Sequence, residues 1–494
     1  MAQTLLPLDD LSTALVPLCE AALRARQSPG ASITVVAADQ GHHFSYGLKS
    51  LRDGGAVTPH TGFDIASCSK AFVSATMAAL VAEGRVSWDD PITRYVPEFQ
   101  LYDPWVTQQA TLRDLSANRL GLPRAGLTNF GYDPTLPADH VFASVRHTPP
   151  LHPLRQRFGY FNPGHSANAV AIGRITGQGF LATLRARLLG PLGMHHSSGG
   201  ADVRTELAHQ AAWHCMDEGR WTTIDTIFSD QHLGAGGIVV SGLDAAAWLR
   251  LHLNGGRVDG HQVIDRRALI ETHTPQTVAR PGEDIASLFY PGAHMAAYAL
   301  GWAVSDFEGH ALLCHSGASF GVSSMTMLLP RSGIGIAVYL NAAGGDAPPL
   351  AYAIAAELLG VEQRDWAAAL TLPAAADASN SSAPEAAMLP LAAYAGVFHH
   401  PADGPLAIDT MADGNSMVGR LRHGYRLTFT MSALGAHRFA LRFDHPEWRS
   451  MPAGDKPELV FTVADGQATA ARLVAGVLGR EFLRETPRED SAHG

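Results

Sequence analysis

The chain has 494 residues, of which 46% are hydrophobic and 17% are charged. This length and apolar content predict a soluble globular protein with one large domain and one smaller domain. The formal net charge is −10 and the basic residues are scattered, which argues against nucleic acid or an anionic membrane as the main partner.

The first predicted elements alternate between helix and sheet. Leucine spacing over 9–26 predicts an amphipathic helix, and the apolar run 31–38 with 43–47 predicts a β-hairpin. A helix follows from Phe72 to its stop at Gly84. Residues 126–160, rich in Pro, Gly and His, predict long loops of the kind that line a site.

The middle of the chain is predicted to be helical and then to return to sheet. A continuous helical pattern covers 163–194, and a second helix at 243–253 follows the glycine cluster 234–237. Strands are predicted at 311–314, 322–329 and 334–340. Because strands stand at both ends of this region with helices between them, we expect one α/β unit whose terminal strands join.

The last part of the chain is predicted to be a separate β domain. Residues 371–389 are rich in Ala, Ser and Pro and are interpreted as a linker between domains at 1–370 and 390–486. Short alternating segments then predict a small antiparallel barrel or sandwich. They are 394–398, 405–410, 416–421, 426–429, 439–443, 458–463 and 470–473.

Cysteine usage and the N-terminal stretch bear on compartment and cofactors. The four cysteines are far apart and fit neither a metal site nor a disulfide-rich framework, so reduced thiols are expected. The chain starts with neither a basic leader nor an export-type cleavage site, and no apolar run reaches the roughly 18 residues of a membrane span. We therefore expect a cytoplasmic protein that uses no cofactor and no metal.

The first candidate catalytic pair is Ser67 and Lys70, at the first turn of the helix that contains Phe72. Residues three apart on a helix have β-carbons roughly 5–6 Å apart, so the Lys70 amine can reach the Ser67 hydroxyl and activate it as a nucleophile. A helix cap followed by a solvated charge is the structural alternative. Cys68 is interpreted as a small buried residue.

Two further groups of residues carry chemistry that complements this pair. In the first, the Tyr160 hydroxyl can shuttle a proton and the Asn162 amide can both donate and accept hydrogen bonds. In the second, His315, Gly317 and Ala318 belong to a strand end of small residues, where a backbone N–H can meet an oxyanion. Each group alone is more often structural.

Taken in order, these residues resemble a known family. Ser67-x-x-Lys70, Tyr160-x-Asn162 and His315-x-Gly317 look like the three motifs of the serine β-lactamase and penicillin-binding-protein superfamily. The resemblance is greatest to its class C β-lactamase-like branch of D-aminopeptidases, D,D-peptidases and esterases. It covers roughly residues 20–360, and residues 390–485 more weakly resemble the small β domain of many such hydrolases.

The resemblance implies a fold and a set of roles. The fold would be α+β, with an antiparallel sheet, helices on both of its faces and an all-helical part. Ser67 would be the acylated nucleophile, and Lys70 and Tyr160 would share its proton. Asn162 would orient Lys70 and the substrate amide.

The third motif would complete the site. The backbone N–H groups of Ser67 and Ala318 would hold the oxyanion, and His315 and Gly317 would contact substrate. β-Lactamases commonly have lysine where this chain has His315, and a mostly neutral histidine anchors a carboxylate less well, which argues against efficient β-lactamase activity. In addition, Asn118-Arg119-Leu120 replaces the usual His-Thr-Ser type of sequence, so local packing there is expected to differ.

The leading hypothesis is a serine hydrolase that cleaves an amide in a small or D-residue-containing peptide. An esterase acting on small acyl esters uses the same site and is the first alternative. A catalytically inactive peptidoglycan- or ligand-binding protein is the alternative of another class. The expected partner is a small molecule or short peptide, and the sequence leaves the oligomeric state open.

Overall fold

The structure is a computed structural model. It describes residues 8–37, 40–123, 138–200, 209–225, 233–281, 284–285, 287–370, 388–414, 416–421, 427–446, 457–475 and 478–485. Part of the loop region predicted at 126–160 and most of the linker predicted at 371–389 lie outside these residues. The domain boundaries therefore stay predictions.

The helices of the described residues belong almost entirely to the first 370 residues. They are α1 (Leu8–Ala25), α2 (Ser69–Ala82), α3 (Pro104–Gln109), α4 (Leu112–Ser116), α5 (Ala138–Ser144), α6 (Asn162–Thr176), α7 (Phe180–Leu184), α8 (Gly242–Leu253), α9 (Arg266–His273), α10 (Ala347–Leu359) and α11 (Trp366–Ala369). Among them, no helix has both the length and the apolar character that crossing a membrane requires.

The strands before the linker form one large sheet and three small ones. They are β1 (Gly30–Ala37), β2 (Gln40–Gly47), β3 (Gly62–Asp64), β4 (Ser198–Gly199), β5 (Trp213–Asp217), β6 (Arg220–Ile224), β7 (Ile238–Ser241), β8 (Arg257–Val258), β9 (His261–Gln262), β10 (Thr277–Ala279), β11 (Ala296–Tyr298), β12 (Ala303–Phe307), β13 (His310–Ser319), β14 (Val322–Leu329) and β15 (Ile334–Leu340).

The large sheet is antiparallel, with strand order β10-β11-β12-β13-β14-β15-β1-β2. Its terminal strands join as expected, since Ala31 of β1 lies opposite Leu340 of β15. Strands β1, β14 and β15 are buried along their whole length, which explains why none of them contains a charged residue. Helices α1 and α10 cover one face, and α8 covers the other, so the predicted α+β class is confirmed.

Helix α2 is the buried centre of the helical part. All residues from Ser69 to Leu80 are buried, because its side chains pack against both the sheet and the surrounding helices. A 3₁₀ turn, Ala66–Cys68, precedes it and contains Ser67. The predicted stop is present, since Gly84 follows the helix with φ +69.

The helix predicted across 163–194 is divided in the structure. Helix α6 ends where Gly177 adopts a left-handed conformation with φ +72, a common way for a glycine to end a helix. Gly179 then precedes α7, which continues into a π-helical turn at Arg185–Leu189. The apolar periodicity was continuous across the break, so only the glycines marked it.

The strands after the linker form a closed antiparallel barrel. They are β16 (Gly396–His400), β17 (Gly404–Thr410), β18 (Met417–Leu421), β19 (Thr428–Gly435), β20 (Arg438–Phe443), β21 (Glu458–Ala464), β22 (Gln467–Ala475) and β23 (Leu478–Arg484). Of the two predicted architectures the barrel is the one formed. The eighth strand, β23, was not predicted, because its charged residues interrupt the apolar alternation.

The barrel closes through a short seam between β16 and β23. Among the described residues, two paired positions join these strands, Phe398 with Arg484 and His399 with Leu483, and the Glu485 N–H donates to the Val397 carbonyl oxygen at 2.9 Å. The Arg484 guanidinium donates hydrogen bonds to the carbonyl oxygens of Ala468 and, at 2.8 Å, Ala395, and it lies 4.9 Å from the centre of the Phe398 ring. This side chain therefore bridges both sides of the seam.

The barrel contacts the larger domain beside the β13–β14 turn. The half-buried Phe320 at this turn packs against the barrel core and also against a small apolar cluster that includes Ala66 and Trp213. A long ion pair, 3.6 Å between Arg442 of the barrel and Glu218 of the β5–β6 turn, lies on the surface. Phe320 thus links the barrel to the residue that precedes Ser67.

Candidate active site

Ser67 is presented by a tight turn between β3 and α2. From Thr61 to Leu80 it is the only residue that is not buried, so its hydroxyl faces an opening in the core. Ala66 has φ +42, an unfavourable left-handed conformation for a residue with a side chain. The buried Asp64 carboxylate supports this conformation by accepting a hydrogen bond from the Ala66 N–H at 2.7 Å.

Lys70 lies beneath Ser67 and is fully buried. Its amino group donates hydrogen bonds to Ser67 Oγ at 2.9 Å and to the Ala235 carbonyl oxygen at 2.7 Å. The amine is therefore held against the hydroxyl, as the three-residue spacing predicted. The structural alternative of a solvated lysine does not hold for this residue.

The second motif starts helix α6 and stands beside Lys70. The Tyr160 ring centre lies 4.8 Å from Lys70 Nζ, close enough for a cation–π contact, and 6.2 Å from the His315 ring centre. The Asn162 Oδ1 atom is buried and accepts no hydrogen bond from any described residue. Lys70 donates to the Ala235 carbonyl oxygen, and the expected role of Asn162 in orienting Lys70 and the substrate amide stays a prediction.

A buried carboxylate organises the loops that lead to Tyr160. Asp114 accepts hydrogen bonds from Arg119 Nε at 2.6 Å and from Arg155 Nε and Nη2 at 2.9 and 2.8 Å, and it also caps α4 through Thr111. Burial opposes its ionisation, but the hydrogen bonds from Arg155 and Thr111 and the charge of Arg119 outweigh it and lower the pKa of Asp114. Arg119 thus has a structural role that its departure from the family sequence did not reveal.

The third motif lies on β13, directly against the turn that carries Ser67. A β-carbon added at Gly317 would lie 2.4 Å from the Ile65 carbonyl oxygen and 3.0 Å from the Ser67 nitrogen. Only glycine allows this approach. It brings the backbone of Gly317 and the exposed Ala318 alongside the Ser67 N–H, where the oxyanion-binding groups were expected.

One edge of β13 is unpaired beside Ser67. Strand β14 pairs with β13 as far as Ser319, whereas pairing with β12 ends where Ala303 meets Cys314. No strand of the described residues occupies the β12 side of 315–319. The carbonyls of His315 and Ser316 already accept hydrogen bonds from Cys68 and the His315 ring, so Ala318 and Ser319 are the positions open to an extended ligand.

The His315 imidazole is fully buried and held by both ring nitrogens. Nδ1 lies 2.6 Å from the Ser316 carbonyl oxygen, and Nε2 lies 2.9 Å from the Tyr298 hydroxyl. Because a carbonyl only accepts, Nδ1 carries the proton and Nε2 accepts from Tyr298. Burial, together with the charge of Lys70, lowers the pKa of His315 to about 3, so the ring is neutral. Its substrate-binding role stays a prediction.

The expected burial of Cys68 is confirmed. The thiol is 1% exposed and donates a hydrogen bond to the His315 carbonyl oxygen at 2.9 Å. Burial raises the pKa of Cys68 to about 11, so the residue next to Ser67 is not a competing nucleophile. It instead ties α2 to β13.

Several residues of this site were not found from the sequence. They are Asp64, Asn118, Ala235 and Tyr298. Ala235 acts through its carbonyl group, which has no side-chain signature, although the glycines around it marked an unusual backbone. Asn118 accepts a hydrogen bond from the Phe161 N–H at 2.9 Å and so positions the second motif from a distant loop.

The fold and the site together define a protein of the serine-hydrolase type, in which a serine–lysine pair lies between a helical part and an antiparallel sheet. The chain belongs to the beta-lactamase family, whose sequence profile matches residues 17–359. Members of this family are typically serine hydrolases. The resemblance identified from the three motifs is thereby confirmed.

Individual relatives are distant. The chain is 26% identical over 452 residues to an unguisins hydrolase of Aspergillus violaceofuscus, covering 82% of this chain and 78% of that one. It is 24% identical to penicillin-binding protein 4 of Amycolatopsis lactamdurans, covering 67% of this chain and 85% of that protein.

Two solved structures share the fold across almost the whole chain. The octameric penicillin-binding protein homologue from Pyrococcus abyssi superposes with a TM-score of 0.61 at 18% identity, covering 97% of this chain and all of that one. The crystal structure of SurE gives a TM-score of 0.60 at 22% identity, covering 97% and 99%.

Proposed function

We propose that this protein cleaves an amide bond in a small or D-residue-containing peptide through a covalent acyl-enzyme on Ser67. The observation that carries the proposal is the 2.9 Å contact between Lys70 Nζ and Ser67 Oγ, at the one residue of a buried segment that is not buried. A serine needs an adjacent base to become a useful nucleophile, and Lys70 and Tyr160 are suitably placed.

The reaction follows from the groups around Ser67. Its Oγ attacks the scissile carbonyl carbon while its proton passes to the Lys70–Tyr160 pair, which accepts it with Lys70 as the neutral amine or Tyr160 as the phenolate. The developing negative charge on the carbonyl oxygen is stabilised by the N–H groups of Ser67 and Ala318. The C–N bond then breaks, the pair protonates the leaving amine, and water hydrolyses the Ser67 ester to regenerate the hydroxyl.

A peptide substrate is supported by the backbone on the cleft side of β13. An extended peptide can pair with the unpaired edge at Ala318 and Ser319, which places one of its carbonyl groups near Ser67. The unpartnered Asn162 Oδ1 provides an acceptor for a substrate N–H. An ester offers fewer N–H groups for such pairing, so we rank the esterase alternative second.

A substrate panel separates these alternatives. D- and L-aminoacyl p-nitroanilides are assayed beside short-chain p-nitrophenyl esters, with Ser67→Ala as the control. We expect anilide turnover that Ser67→Ala reduces by about 10³-fold or more. Ester turnover without anilide turnover would favour the esterase. If no substrate is turned over and a fluorescent phosphonate does not label Ser67, the inactive binding protein is favoured.

A further inference from the structure

The hydrogen bonds of His315 leave no ring nitrogen for a ligand. Its Nδ1–H is used by the Ser316 carbonyl, and its Nε2 lone pair is used by the Tyr298 hydroxyl. A neutral imidazole has one donor and one acceptor, so both are occupied. The third motif therefore contributes backbone groups to the cleft but no cation and no side-chain donor.

Tyr298 is fixed firmly enough to keep the imidazole in this state. It is fully buried at the end of β11, its ring packs against Phe158 at 5.3 Å between ring centres, and it meets His315 edge-on at 5.9 Å. The Asn118 side chain lies next to its hydroxyl on the remaining side. Turning His315 toward the cleft would break two hydrogen bonds inside this packed cluster.

Three other cations near the second and third motifs, among the described residues, are also occupied. Lys70 contacts Ser67 and the Ala235 carbonyl. Arg119 and Arg155, from the loops that lead to Tyr160, both pair with Asp114. A carboxylate entering the cleft beside β13 would lose its hydration without gaining a partner from these residues.

We infer that Tyr298 is a specificity-determining residue, which withholds the His315 nitrogens from the cleft and so makes the site select leaving groups without a carboxylate. The inference rests on the proposed function and refines its substrate class. The expected substrates are amides, esters and peptide bonds that are remote from a free C-terminal carboxylate. Peptides whose scissile bond precedes a free C-terminal residue are expected to be poor substrates.

The test compares two chromogenic esters that differ by one carboxylate on the leaving group, 4-nitrophenyl acetate and 3-carboxy-4-nitrophenyl acetate. Each kcat/KM is divided by the rate of spontaneous hydrolysis in the same buffer, which corrects for intrinsic reactivity. Salt of about 0.5 M screens long-range repulsion from the net charge. We expect the corrected kcat/KM of the neutral ester to be higher by about tenfold or more. This ratio corresponds to one missing hydrogen bond to a charged group, the carboxylate.

Tyr298→Phe supplies the second arm of the test. It retains the ring but removes the hydrogen bond that holds His315 Nε2, so the neutral imidazole can turn toward the cleft and donate an N–H to an anion, and we expect the preference to fall at least threefold. Tyr290→Phe is the matched control, because it removes the hydroxyl of another buried tyrosine. That hydroxyl lies away from the cleft and donates a hydrogen bond of 2.7 Å to Glu308. The control is expected to keep the wild-type preference.

The possible results distinguish failure of the carboxylate selectivity from failure of the proposed hydrolase function. Equal turnover of both wild-type esters overturns the selectivity, and an unchanged preference in Tyr298→Phe overturns the role of Tyr298. Either result leaves the hydrolase function standing. If the wild-type protein turns over neither ester nor any p-nitroanilide and Ser67 is not labelled by the phosphonate, the proposed function itself fails and the inference falls with it.

Discussion

At the scale of single residues, the site depends on close contact between two backbones. The turn before Ser67 has an unfavourable conformation at Ala66, and Gly317 packs directly against it. Neither residue carries a reactive group. Both nevertheless determine where the Ser67 hydroxyl lies relative to the N–H of Ala318.

Gly317→Ala is expected to lower kcat/KM by roughly 10²-fold, because displacement of a reacting group by about 1 Å has an effect of that order. The added methyl would lie 2.4 Å from the Ile65 carbonyl oxygen, so β13 must move away from the Ser67 turn. The measurement is ester turnover together with thermal unfolding. Gly309→Ala, in open space in the turn before β13, is the control and should lose only about 1 kcal/mol of stability. Full activity in Gly317→Ala would contradict the close-contact interpretation.

Asp64 predicts a pH dependence of stability. Burial raises its pKa from 3.8 to about 7, so between these values the folded state binds more protons than the unfolded state. Its contribution to the free energy of unfolding therefore falls as pH rises toward 7, by at most about 1.4 kcal/mol per pH unit. Asp64→Asn keeps an oxygen for the Ala66 N–H and does not ionise.

The stability of Asp64→Asn relative to wild type should consequently increase between pH 5 and pH 8. Denaturant unfolding at several pH values measures this difference. A difference that is constant across the range would show that Asp64 stays ionised in the folded protein.

At the scale of elements, the sequence predicted the parts of the fold that depend on hydrophobic pattern. The buried strands β1, β14 and β15 and the helix beginning near Ser67 have continuous or periodic apolar residues. The helix break at Gly177 was missed because the apolar periodicity continues across it. Strand β23 was missed because its charged residues interrupt the apolar alternation. Tyr298 and the Ala235 carbonyl were missed because their roles arise only from contacts between remote segments.

Asp114 is the clearest case of a remote contact that orders an element. Asp114→Ala leaves Arg119 and Arg155 without their carboxylate, and we expect a loss of about 3 kcal/mol in the free energy of unfolding. Activity should also fall, because the loops leading to Tyr160 lose their common anchor. Denaturant titration and ester turnover provide the measurements.

Asp225→Ala is the matched control for this substitution. It removes an exposed ion pair with Arg52 at 3.0 Å, in the same domain. Such surface pairs contribute less than about 1 kcal/mol. If both variants lost the same free energy of unfolding, the ion pairs of Asp114 would contribute no more than an exposed ion pair.

At the scale of the whole molecule, the barrel is connected to the site through Phe320. Phe320→Ala should reduce stability by about 1–3 kcal/mol, since the ring is only half-buried, and should lower kcat/KM by about tenfold as the β13–β14 turn loses support. Glu218→Ala, which removes only the surface ion pair to Arg442, should change neither quantity appreciably. Reduced stability with unchanged turnover would show that the barrel does not support the catalytic strand.

The seam of the barrel has a consequence for how this protein behaves among its own copies. A closed barrel has no edge strand, so it presents no row of unpaired backbone groups to a neighbouring molecule. An opened barrel has two edge strands and presents two such rows. Two residue pairs, a backbone hydrogen bond from Glu485 to Val397 and the Arg484 side chain hold this seam together, so we expect loss of the Arg484 side chain to expose such rows on β16 and β23. We therefore expect loss of the Arg484 side chain to lower the solubility of the protein on storage and to leave catalysis unchanged.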